Sequence, residues 1–459
     1  MHDLLARGYY MKDAYSRNID QQYQLCFEKF KSTFQQYLDI TVKTVLKFLR
    51  DSCISIYLIG SFGKDEGSLY CENNVVQPMR DFDILIVTTK HIEQDILRSI
   101  TDEIHEKIGL TSPTKTVLED FSIWITYTTI SELLKTAPLL KYYELKIASK
   151  HLYGIDLRKL INIKLMDLSL YNGILILFTK VNGLLALYPL PPRPYKRVLN
   201  YVYEILKTYT EISTVFSLLD KSIYRPTFSE RCEEFYREYT VKLPALFELV
   251  PTLNLYIPSA CKNRKLLEPL LINNIDLEIA SKHVLETLDK IISLYIKLSY
   301  GINIPLEGFS KSDHTMLDKV GLFALAEFFS RYLEKNIDSK GFFAKILGLI
   351  IARVYIQHSN IVFFIRARRE RLPIKLNLIF STKNQFVYST YIGINVLKSL
   401  VNDQKHGVYG YEEFLRTYLD PSFISKLKNI NQYVKTWIVL KILARLMRLA
   451  DASFHRKAF

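Results

Sequence analysis

Two short apolar runs near the start of the chain have the pattern of buried β-strands. Residues 54–59 (ISIYLI) form the first run, which ends at Gly60-Ser61, and residues 82–87 (FDILIV) form the second. Asp81 and Asp83 interrupt the beginning of the second run. Because side chains two positions apart on a strand point to the same face, we expect both carboxylates to project from one edge of a sheet.

Helical and β-prone segments surround these two predicted strands. Apolar residues recur at helical spacing over residues 19–50 and 91–108, and residues 121–128 form a third strand-like run. Residues 67–79 contain two β-prone stretches around a polar Glu-Asn-Asn, which predicts an inserted hairpin. From residue 131 onward the pattern is helical almost throughout.

Proline and glycine divide the helical part. A proline cluster at residues 189–194 is the clearest break, and it follows a predicted helix pair at residues 165–187. A loop is predicted at residues 301–312. Helices are predicted at residues 195–219, 281–300, 317–333 and 342–365.

The paired aspartates and the Gly-Ser turn suggest a chemistry. Two carboxylates held this close repel each other and lose solvation, so a buried-strand pattern seldom contains them unless a cation compensates. Mg²⁺ prefers oxygen ligands and is commonly held by one or two carboxylates together with substrate phosphates. Gly60 lets the backbone approach a phosphate, and Ser61 adds a hydroxyl beside main-chain N–H groups. Taken singly, Asp-x-Asp is also typical of a solvated strand end and Gly-Ser of an ordinary turn.

Gly60-Ser61 followed by Asp81-Phe82-Asp83 in an apolar strand resembles the signature of the DNA polymerase β-type nucleotidyltransferase superfamily. The gap between the two motifs is longer than is usual in that family, and the predicted hairpin accounts for the extra residues. Residues 142–158 are similar to a segment that follows the catalytic sheet in several small bacterial and archaeal members. They are equally typical of a helix closed by Gly154.

The resemblance implies a fold and a reaction. The expected fold class is α+β: a nucleotidyltransferase-type mixed sheet flanked by helices over residues 1–160, a helical domain over 161–340 and a basic helical domain over 341–459. The expected reaction transfers a nucleoside monophosphate from an NTP to a hydroxyl and releases pyrophosphate. ATP is the expected donor because it is the commonest in the family.

The resemblance also implies roles for single residues. Asp81 and Asp83 would bind two Mg²⁺ ions with a third acid at the start of the strand at residues 121–128. Asp120 is favoured as the third acid and Glu119 is the alternative, because the strand register decides which of them faces the metals.

Five further residues of the motif region would contact the nucleotide or the solvent. Gly60 and Ser61 would cradle the terminal phosphates of the NTP, and Lys64 would face its triphosphate. The neighbouring acids, Asp65 and Glu66, are expected to be surface charges.

Composition narrows the class of protein. The 459 residues are 49% hydrophobic and 24% charged, as in soluble globular proteins. The N-terminal residues lack the apolar core of a signal peptide. The cysteines have no Cys-x-x-Cys spacing and are odd in number, which predicts a reducing cytoplasm and no zinc site. They are Cys26, Cys53, Cys71, Cys232 and Cys261.

Two apolar segments raise the question of a membrane. Lys180 interrupts residues 173–190, and Lys345, Arg353 and His358 interrupt residues 342–365. Charged residues inside a span are costly, so buried helices are predicted and no membrane is expected as a partner.

Positive charge is concentrated at the end of the chain. Residues 351–459 hold 18 Lys and Arg against 6 Asp and Glu, so this region carries +12 of the overall +14. The densest basic run is Arg366, Arg368, Arg369 and Arg371 with Lys375. Aromatic residues lie among the basic ones at Tyr391, Tyr409, Tyr411, Tyr418, Tyr433 and Trp437.

This charge bears on the acceptor. Cations attract a phosphate backbone and aromatic rings stack on unpaired bases, so this region favours an RNA 3′ end as the acceptor. The simpler interpretation of the same charge is a solvated helical surface in a generally basic protein. A protein or small-molecule hydroxyl would need no basic region. A protein that binds nucleotide or RNA without catalysis is the alternative of a different class.

Overall fold

The structure is a computed structural model of the chain, and it describes most of the sequence. The described residues are 14–72, 75–79, 81–110, 121–189, 195–267, 275–336, 342–372, 374–375, 378, 383–401, 418–427, 442–447 and 449–450. The observed fold is α+β, with two small mixed sheets near the N-terminus and a large helical region after them.

Up to residue 154, the described residues form six strands and five helices. In chain order they are α1 (Ala14–Leu49), β1 (Cys53–Ile59), the one-turn helix α2 (Gly60–Gly63), β2 (Leu69–Glu72), β3 (Val75–Pro78), β4 (Phe82–Thr88), α3 (Gln94–Lys107), β5 (Ile123–Thr129), α4 (Ile130–Leu134), α5 (Leu140–Ala148) and β6 (Lys150–Gly154).

The remaining described elements are helices apart from one two-residue strand. They are α6 (Tyr171–Leu187), α7 (Tyr195–Leu219), α8 (Phe228–Lys242), α9 (Pro244–Leu249), α10 (Thr252–Asn263), β7 (Leu266–Leu267), α11 (Leu277–Tyr300), α12 (His314–Asn336), α13 (Phe342–Arg369), α14 (Gln385–Val401) and α15 (Pro421–Leu427).

The larger sheet has the strand order β5-β4-β1-β6. Strand β1 runs antiparallel to β4 and β6, and β4 runs parallel to β5 with α3 in the connection between them. Helix α1 packs across this sheet through a cluster of aromatic rings. Phe34 and Phe62, for example, contact the ring of Phe82 with centroids 5.1 and 4.5 Å away.

The predicted hairpin insertion is confirmed. Strands β2 and β3 pair antiparallel, and β7 from the helical region adds to β2 in parallel, which the sequence did not predict. A disulfide joins Cys26 on α1 to Cys71 on β2. The expectation that scattered cysteines would stay reduced is therefore wrong for this pair, because folding brings together residues 45 positions apart.

Residues 142–158 do not form a helix that ends at Gly154. The helix ends at Ala148, and the chain continues as β6 along β1. Gly154 has φ +82°, and a Cβ there would lie 2.0 Å from the carbonyl oxygen of Ile54. Glycine is required here because the backbones of β1 and β6 approach closely. A helix C-cap also favours glycine, so the sequence alone could not distinguish the two cases.

The predicted helix pair at residues 165–187 is a single helix, α6. Residues 165–167 form only a 3₁₀ turn, in which the Asp167 carboxylate accepts a hydrogen bond from the Lys164 N–H. Helix α6 is buried on nearly all sides, as predicted for this apolar segment. Lys180 is buried with it and forms an ion pair of 3.0 Å with Glu204 on α7.

Helix α13 is buried on one face only, which differs from the buried helix predicted there. Small residues such as Ala344, Gly348 and Ala352 face the core, whereas Phe343 and Val354 are about two-thirds exposed. By length and composition α13 could cross a membrane, and one third of its most apolar stretch is buried. One such helix is weak evidence for a span, because the core helix of a soluble protein passes the same test.

Glu66 links the sheet region to the helices. Its carboxylate is 3% exposed and accepts hydrogen bonds from the Phe228 and Ser229 N–H groups (2.5 and 2.9 Å) at the start of α8. The expectation of a surface charge is wrong for Glu66 and right for Asp65, whose side chain is 71% exposed. An acid at a helix N-terminus satisfies amides that have no partner within the helix.

We predict that Glu66→Ala destabilises the protein by about 2–4 kcal/mol, because it leaves the first amides of α8 buried without an acceptor. Urea unfolding would measure the loss. Asp65→Asn is the matched control, because asparagine tolerates the left-handed backbone of this residue (φ +60°), and we expect it to stay within about 0.5 kcal/mol of the wild type. Equal losses in both variants would contradict the role given to Glu66.

Candidate active site

The Gly60-Ser61 turn lies against Asp83. Strand β1 ends at Ile59, whose partner in β4 is Asp83, and α2 starts at the next residue. Gly60 has φ +68°, and a Cβ there would lie 2.5 Å from Asp83 Oδ2. Only glycine satisfies both constraints, so this residue lets the turn pass directly beside the carboxylate.

Asp81 and Asp83 lie on the side of β4 opposite Phe82. Phe82 is fully buried in the aromatic cluster under α1, while both aspartates are half-buried. Asp81 accepts a hydrogen bond of 2.6 Å from the Ser122 hydroxyl. Alternation along the strand therefore brings the two carboxylates to one face, as the sequence predicts.

Asp83 is an uncompensated acid. Its carboxylate accepts no hydrogen bond from the described part of the chain. Burial and the charge of Asp81 together raise the pKa of Asp83 to about 7, against the opposing charge of Lys207. A site of this kind favours a cation that neutralises both carboxylates.

The described residues supply no third acid beside this pair. In the parallel register of β4 and β5, Asp83 lies opposite Trp124, and Ser122 bonds to Asp81. Strand β5 (IWITYTT) contains no acidic residue, and no three Asp, Glu, His or Cys side chains form a metal-binding group within the described ranges. Asp120 and Glu119 lie outside the described residues, so their assignment stays a prediction.

Lys64 points away from solvent in this structure. Its side chain is 2% exposed, and Nζ lies 2.6 Å from Glu144 Oε1 on α5 and 4.1 Å from the ring centre of Phe228. Burial lowers the pKa of Lys64 to about 8, and the charge of Glu144 opposes this. This arrangement does not test the predicted contact between Lys64 and a triphosphate. It does show that the charge of Lys64 is already paired with Glu144.

Glu144 is the centre of a buried network that the sequence did not suggest. Its Oε1 accepts from Lys64, from Arg231 Nη2 (2.8 Å) and from the Tyr224 hydroxyl (3.1 Å). Burial raises the pKa of Glu144, but the charges of Lys64 and Arg231 outweigh this and bring it to about 2. The network joins α5 to the turn after α2 and to α8.

Lys207 is the cation that sequence reasoning missed. It is half-buried on α7 and forms no ion pair among the described residues. Its charge lowers the pKa of Asp83, against the effect of burial. Residues 195–219 were predicted to be a helix, and they are. Periodicity alone could not show that the face with Lys207 turns toward β4, because that depends on how α7 packs.

Three arginines of the basic run are exposed. Arg368, Arg369 and Arg371 lie at or just beyond the end of α13 and face solvent. Tyr418 is fully buried against Phe363, so it is not available to stack on a base. Tyr391 is half-buried against Phe309. Residues 409, 411, 433 and 437 lie outside the described residues.

No protein-family model matches the chain, and no curated protein or solved structure is similar to it. The geometry of the site therefore carries the functional argument by itself.

We predict that Asp83→Asn raises the stability of the protein in EDTA by more at pH 8 than at pH 5. A carboxyl whose pKa is raised on folding contributes stability that is lost as the pH rises through its folded value, here about 7. Because Asp83 is partly exposed, we expect a difference on the order of 2 kcal/mol, less than the full shift implies.

Thermal unfolding of the wild type and Asp83→Asn at both pH values would measure this difference. Asp95→Asn is the matched control, since Asp95 on α3 is 89% exposed. An equal change in stability at both pH values would show that Asp83 does not ionise against burial in this range.

Proposed function

We propose that the protein is a metal-dependent nucleotidyltransferase whose active site is built on Asp81, Asp83 and the Gly60-Ser61 turn. The observation that carries the proposal is the contact between Gly60 and Asp83. This contact places the Gly60-Ser61 turn, which is suited to phosphate, beside the half-buried carboxylate of Asp83, which accepts no hydrogen bond from the described residues. A structural turn would not require a glycine pressed against an uncompensated acid.

The donor set fits a divalent cation. Asp83 offers both carboxylate oxygens, and Asp81 retains Oδ2, because the Ser122 hydroxyl bonds only to Oδ1. Two oxygen-donor carboxylates with room for phosphate oxygens suit Mg²⁺ better than softer metals. When bound, such ions neutralise phosphate charge and activate the attacking and leaving oxygens.

The chain's own residues bind and orient the substrates. Ser122 holds Asp81 in place. Gly60 permits close approach of the phosphates, and Ser61 offers its hydroxyl to them. Lys207 supplies positive charge from the helical side. The acceptor hydroxyl gives its proton to the third acid, for which the resemblance favours Asp120, and its oxygen bonds to the α-phosphorus of an NTP. The bond from the α-phosphorus to the oxygen that bridges to the β-phosphate breaks, and pyrophosphate leaves.

An RNA 3′ end is the proposed acceptor. The exposed Arg368, Arg369 and Arg371 and the net charge of +12 over residues 351–459 support it, since cations in this density attract a phosphate backbone. A protein or small-molecule hydroxyl remains the alternative within the same chemistry.

A non-catalytic nucleotide- or RNA-binding protein is the second candidate. The observation in its favour is β5, which carries no acid opposite Asp81 and Asp83. If neither Asp120 nor Glu119 completes the site, binding of Mg²⁺ and NTP would persist and transfer would not.

We predict that the full-length protein transfers label from α-³²P-NTPs to RNA in the presence of Mg²⁺. Each of the four NTPs would be incubated with total RNA, and RNA, protein and small molecules would be resolved separately. The double variant Asp81→Asn/Asp83→Asn should lose at least about 10³-fold in rate, because the cation site is removed. Asp95→Asn should transfer at the wild-type rate.

The location of the label decides between the candidates. Label on protein or on a small molecule would retain the transferase and replace the acceptor. If no fraction is labelled while the wild type binds Mg²⁺ and NTP, the second candidate is correct. If the double variant is as active as the wild type, the proposed site is wrong.

A further inference from the structure

A cavity of about 290 Å³ lies between α5, α6, α7 and the start of α8. Most of its wall is apolar. The apolar lining residues are Leu139, Leu140, Tyr171, Leu175, Ile176 and Phe228. This volume is close to the lower end of the range for small-molecule sites and suits one flat ring system better than a large ligand.

Two carboxylates in the cavity wall, Glu144 and Glu211, have oxygens that accept no hydrogen bond from the described residues, and Lys141 also lines the cavity. Glu211 lines it and forms no hydrogen bond or ion pair with residues in the described ranges. Glu144 also lines it, and all three of its donors bond to Oε1, which leaves Oε2 without a donor. The amide of Asn172 is already bonded to Leu140, Pro138 and Ser169. A ligand that presents hydrogen-bond donors would satisfy these carboxylate oxygens.

The cavity adjoins the proposed phosphate site through α7. Glu211 follows Lys207 by four residues, so the two side chains lie on one face of the helix, one turn apart. Lys64, at the end of the turn that begins at Gly60, lies 2.6 Å from Glu144, which lines the cavity. The charge of Lys207 acts on Asp83 at the start of the same turn. A nucleotide with its phosphates at Asp83 would direct its base along this face of α7.

We propose that the cavity binds the base of the donor nucleotide and selects guanine, with the Glu211 carboxylate accepting from the guanine N1–H and 2-amino group. The proposal rests on the proposed function for the position of the phosphates. It replaces the ATP expected from family prevalence with GTP.

The chemistry of the four bases supports this choice. Guanine presents two adjacent N–H donors on one edge, and a carboxylate can accept both. Adenine and cytosine place a ring-nitrogen acceptor beside their amino group, so a carboxylate gains one bond and meets one lone pair. Uracil has a single N–H between two carbonyl oxygens. The charge of Glu211 also acts on Lys64, Lys180, Arg231 and Arg264. Because its oxygens accept no hydrogen bond from the described residues, a base that donates to them is favoured over one that presents a lone pair.

Calorimetric titration of the full-length protein would test the proposal. The ligands are the α,β-methylene analogues of GTP, ATP, CTP and UTP, guanosine, and inorganic tripolyphosphate, all with Mg²⁺. We expect the GTP analogue to bind at least about tenfold more tightly than the other three. In Glu211→Gln, we expect the affinity for the GTP analogue to fall to within about threefold of that for the ATP analogue, while tripolyphosphate binds as in the wild type.

Two further variants keep the test decisive. Glu248→Gln, at an exposed position on α9, is the matched control and should leave all affinities unchanged. Ile176→Phe should fill part of the cavity and weaken guanosine and every NTP analogue without changing tripolyphosphate binding. It provides an independent test if Glu211→Gln does not fold, which thermal unfolding would reveal.

The two proposals fail in different ways. If tripolyphosphate binds to the wild type but not to Asp81→Asn/Asp83→Asn, and the four analogues bind equally, the guanine site is wrong and the phosphate site stands. If guanosine binds in a Glu211-dependent manner but tripolyphosphate does not bind, the cavity is a base site and the proposed function is wrong. Preference for the ATP analogue would also overturn the guanine assignment.

Discussion

The carboxylate of Asp83 is held where a strand, a turn and a helix face meet, and nothing in the described part of the chain donates to it. The antiparallel register of β1 and β4 sets Ile59 opposite Asp83, so the turn that follows β1 must pass beside the acid. Gly60 is the residue that makes this passage possible. The neighbouring Phe82 fixes the orientation, because its ring is buried on the other face and cannot rotate into solvent.

The helical region completes this site instead of forming a separate body beside it. Glu66 binds the first amides of α8, and Glu144 on α5 binds Lys64 and Arg231. One hydrophobic cluster has members from Tyr57 in β1 to Ala450 near the end of the chain. Arg231 also donates to the Thr214 hydroxyl on α7 (3.0 Å), which ties the Glu144 network to the helix that carries Lys207. The division into domains at residues 160 and 340 stays a prediction.

The sequence predicted what depends on local pattern. The strands at Asp81 and Gly60, the hairpin insertion and most helices follow from periodicity and from turn residues. It did not predict features that depend on distant partners. Glu66 is a charged residue in a polar turn, which is typical of the surface, but α8 buries it. Gly154 follows a helical pattern as a C-cap would, but it allows a neighbouring strand to approach. Cys26 and Cys71 meet only after folding. Lys207 and Glu211 belong to this second group, since only the packing of α7 gives them a role.

The pairing of Lys64 limits how phosphate is recognised. At neutral pH its charge is held by Glu144, whose pKa is brought to about 2, and separating the pair would leave a buried carboxylate with Arg231 as its only charged partner. Breaking a buried ion pair in this way costs about 3–5 kcal/mol. Lys207 carries no such cost, because it has no ion pair to break in the described structure. Under the proposed function, the positive charge for a triphosphate at Asp83 would therefore come from Lys207 on α7. The proposed acceptor for the base, Glu211, lies one turn further along the same helix, so the proposal assigns both phosphate and base recognition to a single helix face.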